Sequence, residues 1–306
     1  MVDAVIALLS APSNLGLRPP EPGGVPGTAK APEALREAGL YGSFQSAGAL
    51  DAGVVLPGRY VDDDHTRPSG RVRNEEAIVD HARRLGARIS ALIERGHAPL
   101  VLGGDCSLLL SAGLALAVRP APGLIHIDGH TDFRHPGNSD ECASLAGEDL
   151  AAAIGLHWPA IADIDGLGPY FAPARTAHIG CRDDDEELAE ASARLGLVIP
   201  AGVAMGRGMP ETAAAAITVA GGSGYWLQLD VDVLDPRWMP AVDSPDPGGL
   251  DPDELVGLLR ACAPGAVGAS ITVFDPDLDP DGRYALLLAR ILRDGLGELG
   301  SRVHGG

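Results

Sequence analysis

Asp128, His130 and Asp132 alternate along the stretch Leu124-Ile125-His126-Ile127-Asp128-Gly129-His130-Thr131-Asp132. The apolar run before them reads as a buried strand, and on an extended backbone side chains two apart lie on one face. All three can therefore point into one pocket at the strand's carboxyl end. Far downstream, Tyr225-Trp226-Leu227-Gln228-Leu229-Asp230-Val231-Asp232 repeats the arrangement, an apolar strand ending in alternating carboxylates. Carboxylates and imidazole suit divalent ions such as Mn²⁺, Mg²⁺ or Zn²⁺. A carboxylate can bridge two ions about 3.5–4 Å apart, and such a pair holds a shared water as hydroxide at neutral pH. A nearby carboxylate can then shuttle its proton. One Asp-x-Asp at a strand end is commonly a turn hydrogen-bonder; two such clusters, one containing histidine, argue for a metal site.

The rest of the chain must fold these segments together. Its 306 residues, 45% of them hydrophobic, are enough for a large core. No run reaches the roughly 18 apolar residues that cross a membrane. Residues 1–9 lack a basic leader and look like a first strand, not a signal peptide, so a cytoplasmic protein is expected. A net charge of −19, with Lys30 the only lysine, is unsuited to nucleic acid or an anionic membrane. Cys106, Cys142, Cys181 and Cys262 are widely spaced with no CxxC, so no disulfide framework is expected, and Cys181 and Cys262 read as core residues.

Apolar runs at 5–9, 98–102, 124–128, 176–180, 197–199, 226–230 and 266–274 predict strands, with a short one at 52–56. Helical periodicity or caps predict helices over 31–39, 74–95, 108–118, 149–156, 186–195, 210–220, 251–261 and 284–293. Asp251 and Glu254 suggest a capping box, and Gly295 a stop after the last helix. Residues 134–149 read as a polar loop over the pocket. The run Asp62-Asp63-Asp64-His65 reads as an exposed acidic turn. Short apolar strands alternating with helices, without hairpins, indicate an α/β fold with a mostly parallel central sheet covered on both faces. Ligands of such sheets gather at the strands' carboxyl ends. No linker or internal repeat interrupts residues 1–306, which are read as one domain.

Three segments resemble, in order, the metal-binding signatures of the arginase and agmatinase (ureohydrolase) superfamily, to which formiminoglutamases also belong. They are Gly103-Gly104-Asp105-Cys106-Ser107, Asp128-Gly129-His130-Thr131-Asp132 and Asp230-Val231-Asp232-Val233-Leu234-Asp235-Pro236. Gly23-Gly24-Val25 with residues 31–36 looks like the family's opening loop and helix, and residues 179–185 like its substrate-binding strand end. The resemblance implies a three-layer α/β/α domain holding two divalent ions, manganese first among them, and a homo-oligomer acting on a small molecule. By position, Asp128 and Asp230 would bridge the ions. Cys106 and Asp132 would complete one ion, His130 and Asp232 the other, and Asp132 would also hydrogen-bond the bridging hydroxide. Arg134, Ser144, Asp183 and Asp185 fall at substrate-binding positions.

The sequence departs from the family at four places. The first signature normally carries His where this chain has Cys106, whose softer thiolate favours zinc or iron. Ala146 stands where arginases have a proton-transfer histidine, and His135 is the candidate replacement. Val273 stands where a late-strand glutamate pairs with the guanidinium, and an unpaired cation is costly to bury. Arg134 replaces a small polar contact and is suited to a carboxylate or oxyanion. The expected activity is hydrolysis of a linear C–N bond in a guanidine, hydroxyguanidine, amidine or formimino compound by metal-bridging hydroxide, without efficient arginase activity. The alternative is a metal-poor, inactive member of the fold with a binding or structural role.

Overall fold

The computed structural model describes residues 5–119, 122–221 and 224–303. Eight strands form one sheet: β1 (Ile6–Ala11), β2 (Leu50–Val54), β3 (Ala98–Gly103), β4 (Gly123–Ile127), β5 (Thr176–Ile179), β6 (Leu197–Ile199), β7 (Tyr225–Asp230) and β8 (Ala266–Thr272). Their spatial order is β2-β1-β3-β8-β7-β4-β5-β6. All pairings between them are parallel, so the expected mostly parallel sheet is parallel throughout its described strands. β3, β4, β7 and β8 are buried along their whole length. That burial explains why they read as continuous apolar runs and not as alternating ones.

Successive residues of the central strands face opposite layers. Leu100, Ile125, Leu227 and Ile271 pack into one apolar cluster, and Val101, Leu124, Trp226 and Val267 into the other. Helices cover both faces, which makes the three layers. Each fully buried large aliphatic side chain contributes roughly 1.5–3 kcal/mol. Among the described residues no helix is long and apolar enough to cross a membrane. All four cysteines are unpaired, with Cys181 and Cys262 in the core.

Local signals account for most of the remaining elements. Asp251 caps the helix Pro252–Cys262 through the Glu254 amide, and Glu254 returns the bond to the Asp251 amide. Gly295, expected to end the last helix, lies inside it, since that helix runs Arg283–Leu296. A Cβ at Gly295 would sit 2.7 Å from that of Leu259, so the glycine lets two helices touch. β8 stops at Thr272, not at 274, because Val273 turns to φ +75° and donates its N–H to the Gly104 carbonyl at 2.7 Å. Helices Leu40–Ser46, Pro159–Ala162 and Ala201–Arg207 were not expected. The first is held by Leu40, Tyr41 and Phe44, buried on one face of a stretch too short to show a period.

The long helix Glu75–Glu94 buries His81, whose Nε2 donates to the Val55 carbonyl at 3.0 Å. Burial holds this imidazole below its ordinary value near 6.5. Below that pH the unfolded chain takes up a proton that the folded chain resists. Stability from neutral His81 is therefore present above about pH 6.5 and is lost as pH falls toward the depressed folded value. His81→Gln, which keeps an amide donor for Val55, is expected to show a smaller drop in Tm between pH 7.5 and 5.5 than the parent chain. Equal drops in a calorimetric comparison would contradict this.

Candidate metal centre

The donors meet at the carboxyl ends of four neighbouring strands, β3, β8, β7 and β4. The first approach depends on glycine. A Cβ at Gly104 would stand 2.4 Å from the Ser13 carbonyl oxygen and 2.5 Å from its nitrogen, and one at Gly103 would stand 2.5 Å from the Ala11 oxygen. This tight crossing is locked by Asp105, which is buried and accepts from Ser13 Oγ at 2.6 Å and from the Ser107 amide at 2.9 Å. The next residue, Cys106, then donates its thiol to Asp230 Oδ2 at 2.7 Å.

β4 and β7 are paired in register up to Ile127 and Leu229, which sets Asp128 beside Asp230. Past the strand ends the backbone wraps around the carboxylates. The His130 amide donates to Asp128 Oδ1 at 2.8 Å, the Asp232 amide to Asp230 Oδ1 at 2.9 Å, and the Gly129 amide to Asp232 Oδ1 at 2.9 Å. His130 Nδ1 meets Asp232 Oδ2 at 2.8 Å and its Nε2 meets Asp246 Oδ2 at 3.1 Å. Asp132 takes a left-handed conformation, φ +48°, which returns its side chain toward the cluster.

Donor atoms of Cys106, Asp128 and Asp230 lie within 4.8 Å of one another, as do those of Asp128, His130 and Asp232. Asp128 is common to both groups. Asp132 stands in separate groups with Cys106 and Asp149 and with His126 and Asp128. Buried atoms here lack hydrogen-bond partners: Asp128 Oδ2, His126 Nε2 and both Asp149 oxygens. Unpartnered buried carboxylate oxygens fit cations as their missing partners, and the donor set is one that divalent ions accept.

The electrostatics agree. Burial, then neighbouring carboxylates, push Asp128, Asp132 and Asp230 well above the usual carboxylate range. Burial, then Asp230, raise the Cys106 thiol. Burial also opposes a charge on His130, but Asp232 and Asp246 outweigh it and lift the imidazole to about 9. For Asp232 burial is again opposed, here by His130, and the carboxyl is held below its usual range. Buried carboxyls whose charge is opposed by burial and by one another are groups whose charge a bound cation would stabilise.

A cavity of about 600 Å³ opens onto the cluster, with Asp132, Arg134, Ser144, Asp185 and Val273 in its walls. Ser144 Oγ donates to the Gly16 carbonyl at 2.7 Å, and Arg134 stands 4.0 Å from Glu187. Asp185 clamps Thr131 through the amide at 2.8 Å and the hydroxyl at 2.6 Å, and so braces the Asp128–Asp132 turn. Asp183 is exposed and does not line the cavity; Asp184 does. His135 does not line it either. It is buried against Glu190, with Nε2 to Oε1 at 3.2 Å, and its Nδ1 accepts from the Gly137 amide at 3.0 Å. The proton-transfer role expected for His135 is not met by this placement.

Sequence reasoning passed over four contributors. Arg182 is buried and its Nη2 donates to the carbonyls of Asp232 at 2.9 Å and Asp246 at 2.6 Å, so it holds the His130 side of the cluster in shape. Arg18 lies in the cavity wall, from the Gly- and Pro-rich first loop. Asp246 comes from a loop with no periodic pattern. Asp149 begins a helix, and its sequence context assigns it no further role.

A protein-family model described as the Arginase family matches residues 5–297. The arginase of Bacillus caldovelox is 30% identical over 278 residues, which cover 87% of this chain and 91% of that protein. The formimidoylglutamase of Aromatoleum aromaticum is 30% identical over 313 residues, covering 94% and 81%. The native crystal structure of Bacillus caldovelox arginase at pH 5.6 superposes with a TM-score of 0.83 at 27% identity, covering 97% of this chain and 98% of that one. Sequence and fold thus agree over nearly the whole chain, which belongs to the arginase family.

Proposed function

We propose that this protein is a dinuclear-metal hydrolase whose substrate is an amidine, guanidine or formimino compound that carries an anionic group. It is a hydrolase of linear, non-peptide C–N bonds, as its guanidino- and formimino-cleaving relatives are. The observation that carries the metal reading is the position of Asp128, whose donor atoms lie within 4.8 Å both of those of Cys106 and Asp230 and of those of His130 and Asp232. Cys106, Asp132, Asp128 and Asp230 would hold one divalent ion, and His130, Asp232 and the same two bridging carboxylates the other. Manganese is the first candidate, with zinc or iron favoured by the thiolate. Bound there, two such ions supply a water of lowered pKa and polarise the reacting C–N group.

The chain's own residues do the rest. Asp132, at the cavity floor, accepts the water's proton on a carboxylate oxygen and returns it to the departing nitrogen. Arg182 and Asp185 keep the two ligand turns rigid. Val273 offers no counter-charge to a guanidinium, so the amidino end is best matched by a group that enters with little positive charge. Arg134 and Arg18 line the cavity and suit a carboxylate at the substrate's other end. The acidic side chains around them favour an accompanying amino group. The same reading takes the protein as a cytoplasmic homo-oligomer.

Two measurements test it. Protein supplied with Mn²⁺, Zn²⁺ or Fe²⁺ should bind about two ions, and less than one with all three overturns the reading. Formimino and guanidino carboxylic acids should be cleaved in preference to decarboxylated counterparts. Arg134→Leu should raise KM for the acids about 10–100-fold, the worth of a charge-assisted hydrogen bond, and should leave kcat nearly unchanged. A KM that does not move removes Arg134 from the substrate site.

A further inference from the structure

We propose that Asp149 is a metal ligand of this centre, on the ion that Cys106 and Asp132 hold. The assignment rests on the metal-centre reading and adds to it a donor outside the signature segments.

Asp149 is the first residue of the helix Asp149–Ala153 and is fully buried. That helix is tied to the site, because the Ala151 amide donates to the Asp132 carbonyl at 3.2 Å. Neither oxygen of Asp149 receives a well-formed hydrogen bond, its polar neighbours being His126 and the Asp132 carboxyl. The helix's N-cap position is Glu148, and the Asp149 carboxylate, one residue inside, takes no part in a side-chain cap. His126 Nε2, also without a hydrogen bond, lies 3.8 Å from Asp149 Oδ1, too far for one. A buried carboxylate without donors is expensive to keep, and a cation is the partner that removes the cost.

The position fits one ion. Donor atoms of Cys106, Asp132 and Asp149 all lie within 4.8 Å of one another. Ligands at about 2.0–2.3 Å from a common ion span up to roughly 4.6 Å. Asp149 is fully buried and is not among the residues that line the cavity, so it would add to the coordination sphere without occupying the space open to substrate. It also bears on Cys106. A thiol buried this deeply ionises only against a cation, and a further anionic donor holds that cation in place. Cysteine in place of histidine and aspartate at 149 then read as parts of one altered site.

The test is metal binding. Apoprotein, Asp149→Asn and Asp128→Asn are titrated with Co²⁺ and Zn²⁺, following bound metal and the cobalt–thiolate absorption that reports the ion on Cys106. Asp149→Asn should weaken the Cys106-side ion at least tenfold and shift or abolish the thiolate band, with the other ion retained; Asp128→Asn should weaken both ions. In zinc-loaded crystals of the parent protein, anomalous scattering should place an ion at bonding distance from an Asp149 oxygen, a readout independent of how the variants fold. Unchanged affinities and spectrum in Asp149→Asn, or an ion remote from Asp149, overturn this assignment alone. A parent protein that binds no ion overturns the metal-centre reading with it.

Discussion

Asp230→Asn is expected to lower hydrolysis about 10³-fold or more while leaving the fold intact. The substitution keeps the shape and the oxygen that accepts the Asp232 amide at 2.9 Å. It removes the negative charge that Asp230 would contribute to both ions of the proposed centre. If the paired ions supply several kcal/mol to the reaction, each 1.36 kcal/mol lost is a factor of ten. Bound metal should fall from about two ions to one or fewer. Stability should move the other way. Asp230 is buried among Asp128, Asp232 and the Cys106 thiol, and like charges raise one another's cost. Without metal, Asp230→Asn should therefore melt higher than the parent by roughly 2–6 °C, the usual trade between a strained site and a stable fold. With metal in excess the order should reverse. Calorimetry with and without a chelator measures both signs, and a parent chain that melts higher under chelation would show that the carboxylates do not repel.

Gly104→Ala is expected to cost about 3 kcal/mol or more, a loss in Tm of roughly 6–12 °C for a chain of this size. The added methyl would meet the Ser13 carbonyl oxygen at 2.4 Å and its nitrogen at 2.5 Å, both backbone atoms that cannot rotate away. Relief requires the end of β3 to move from the Ser13 loop. That motion breaks the Ser13–Asp105 hydrogen bond and the Val273–Gly104 bond, and it carries Cys106 off Asp230. Metal affinity should fall with stability although no ligand is changed. A variant with lowered Tm and undiminished metal affinity would uncouple the turn from the site.

These two positions also show what was legible in the sequence. Strands buried on both faces give long apolar runs, so β3, β4, β7 and β8 could be found, and parallel pairing followed from the helices between them. Donors that alternate on a strand end share a face by geometry, so Asp128, His130 and Asp132 could be grouped, as could Asp230 and Asp232. Cys106 could be added only through the resemblance of residues 103–107 to the family's first signature. Other features depend on docking that no local pattern encodes. Asp149 reaches Asp132 because a short helix folds back on that turn. Arg182 grips carbonyls 50 and 64 residues ahead of it. His135 lies three residues past Asp132, yet it is held against Glu190 and does not line the cavity. Asp183 and Asp184 differ by one residue, and only the backbone after β5 decides which of them faces the cavity.

The wide spacing of the donors along the chain has a consequence for the life of the protein. Cys106 and Asp230 meet across 124 residues, and His130 and Asp232 across 102. An unfolded or half-made chain cannot gather this set, so ions held as proposed would favour the finished fold. Binding of that kind stabilises by RT ln(1 + [L]/Kd), about 2.7 kcal/mol when free metal is a hundred times Kd. Contacts this distant in sequence also form late and slowly. With the centre loaded as proposed, metal supply would act on abundance as well as on activity: starved of metal, the finished protein would lose this margin, open more often and be exposed to proteolysis.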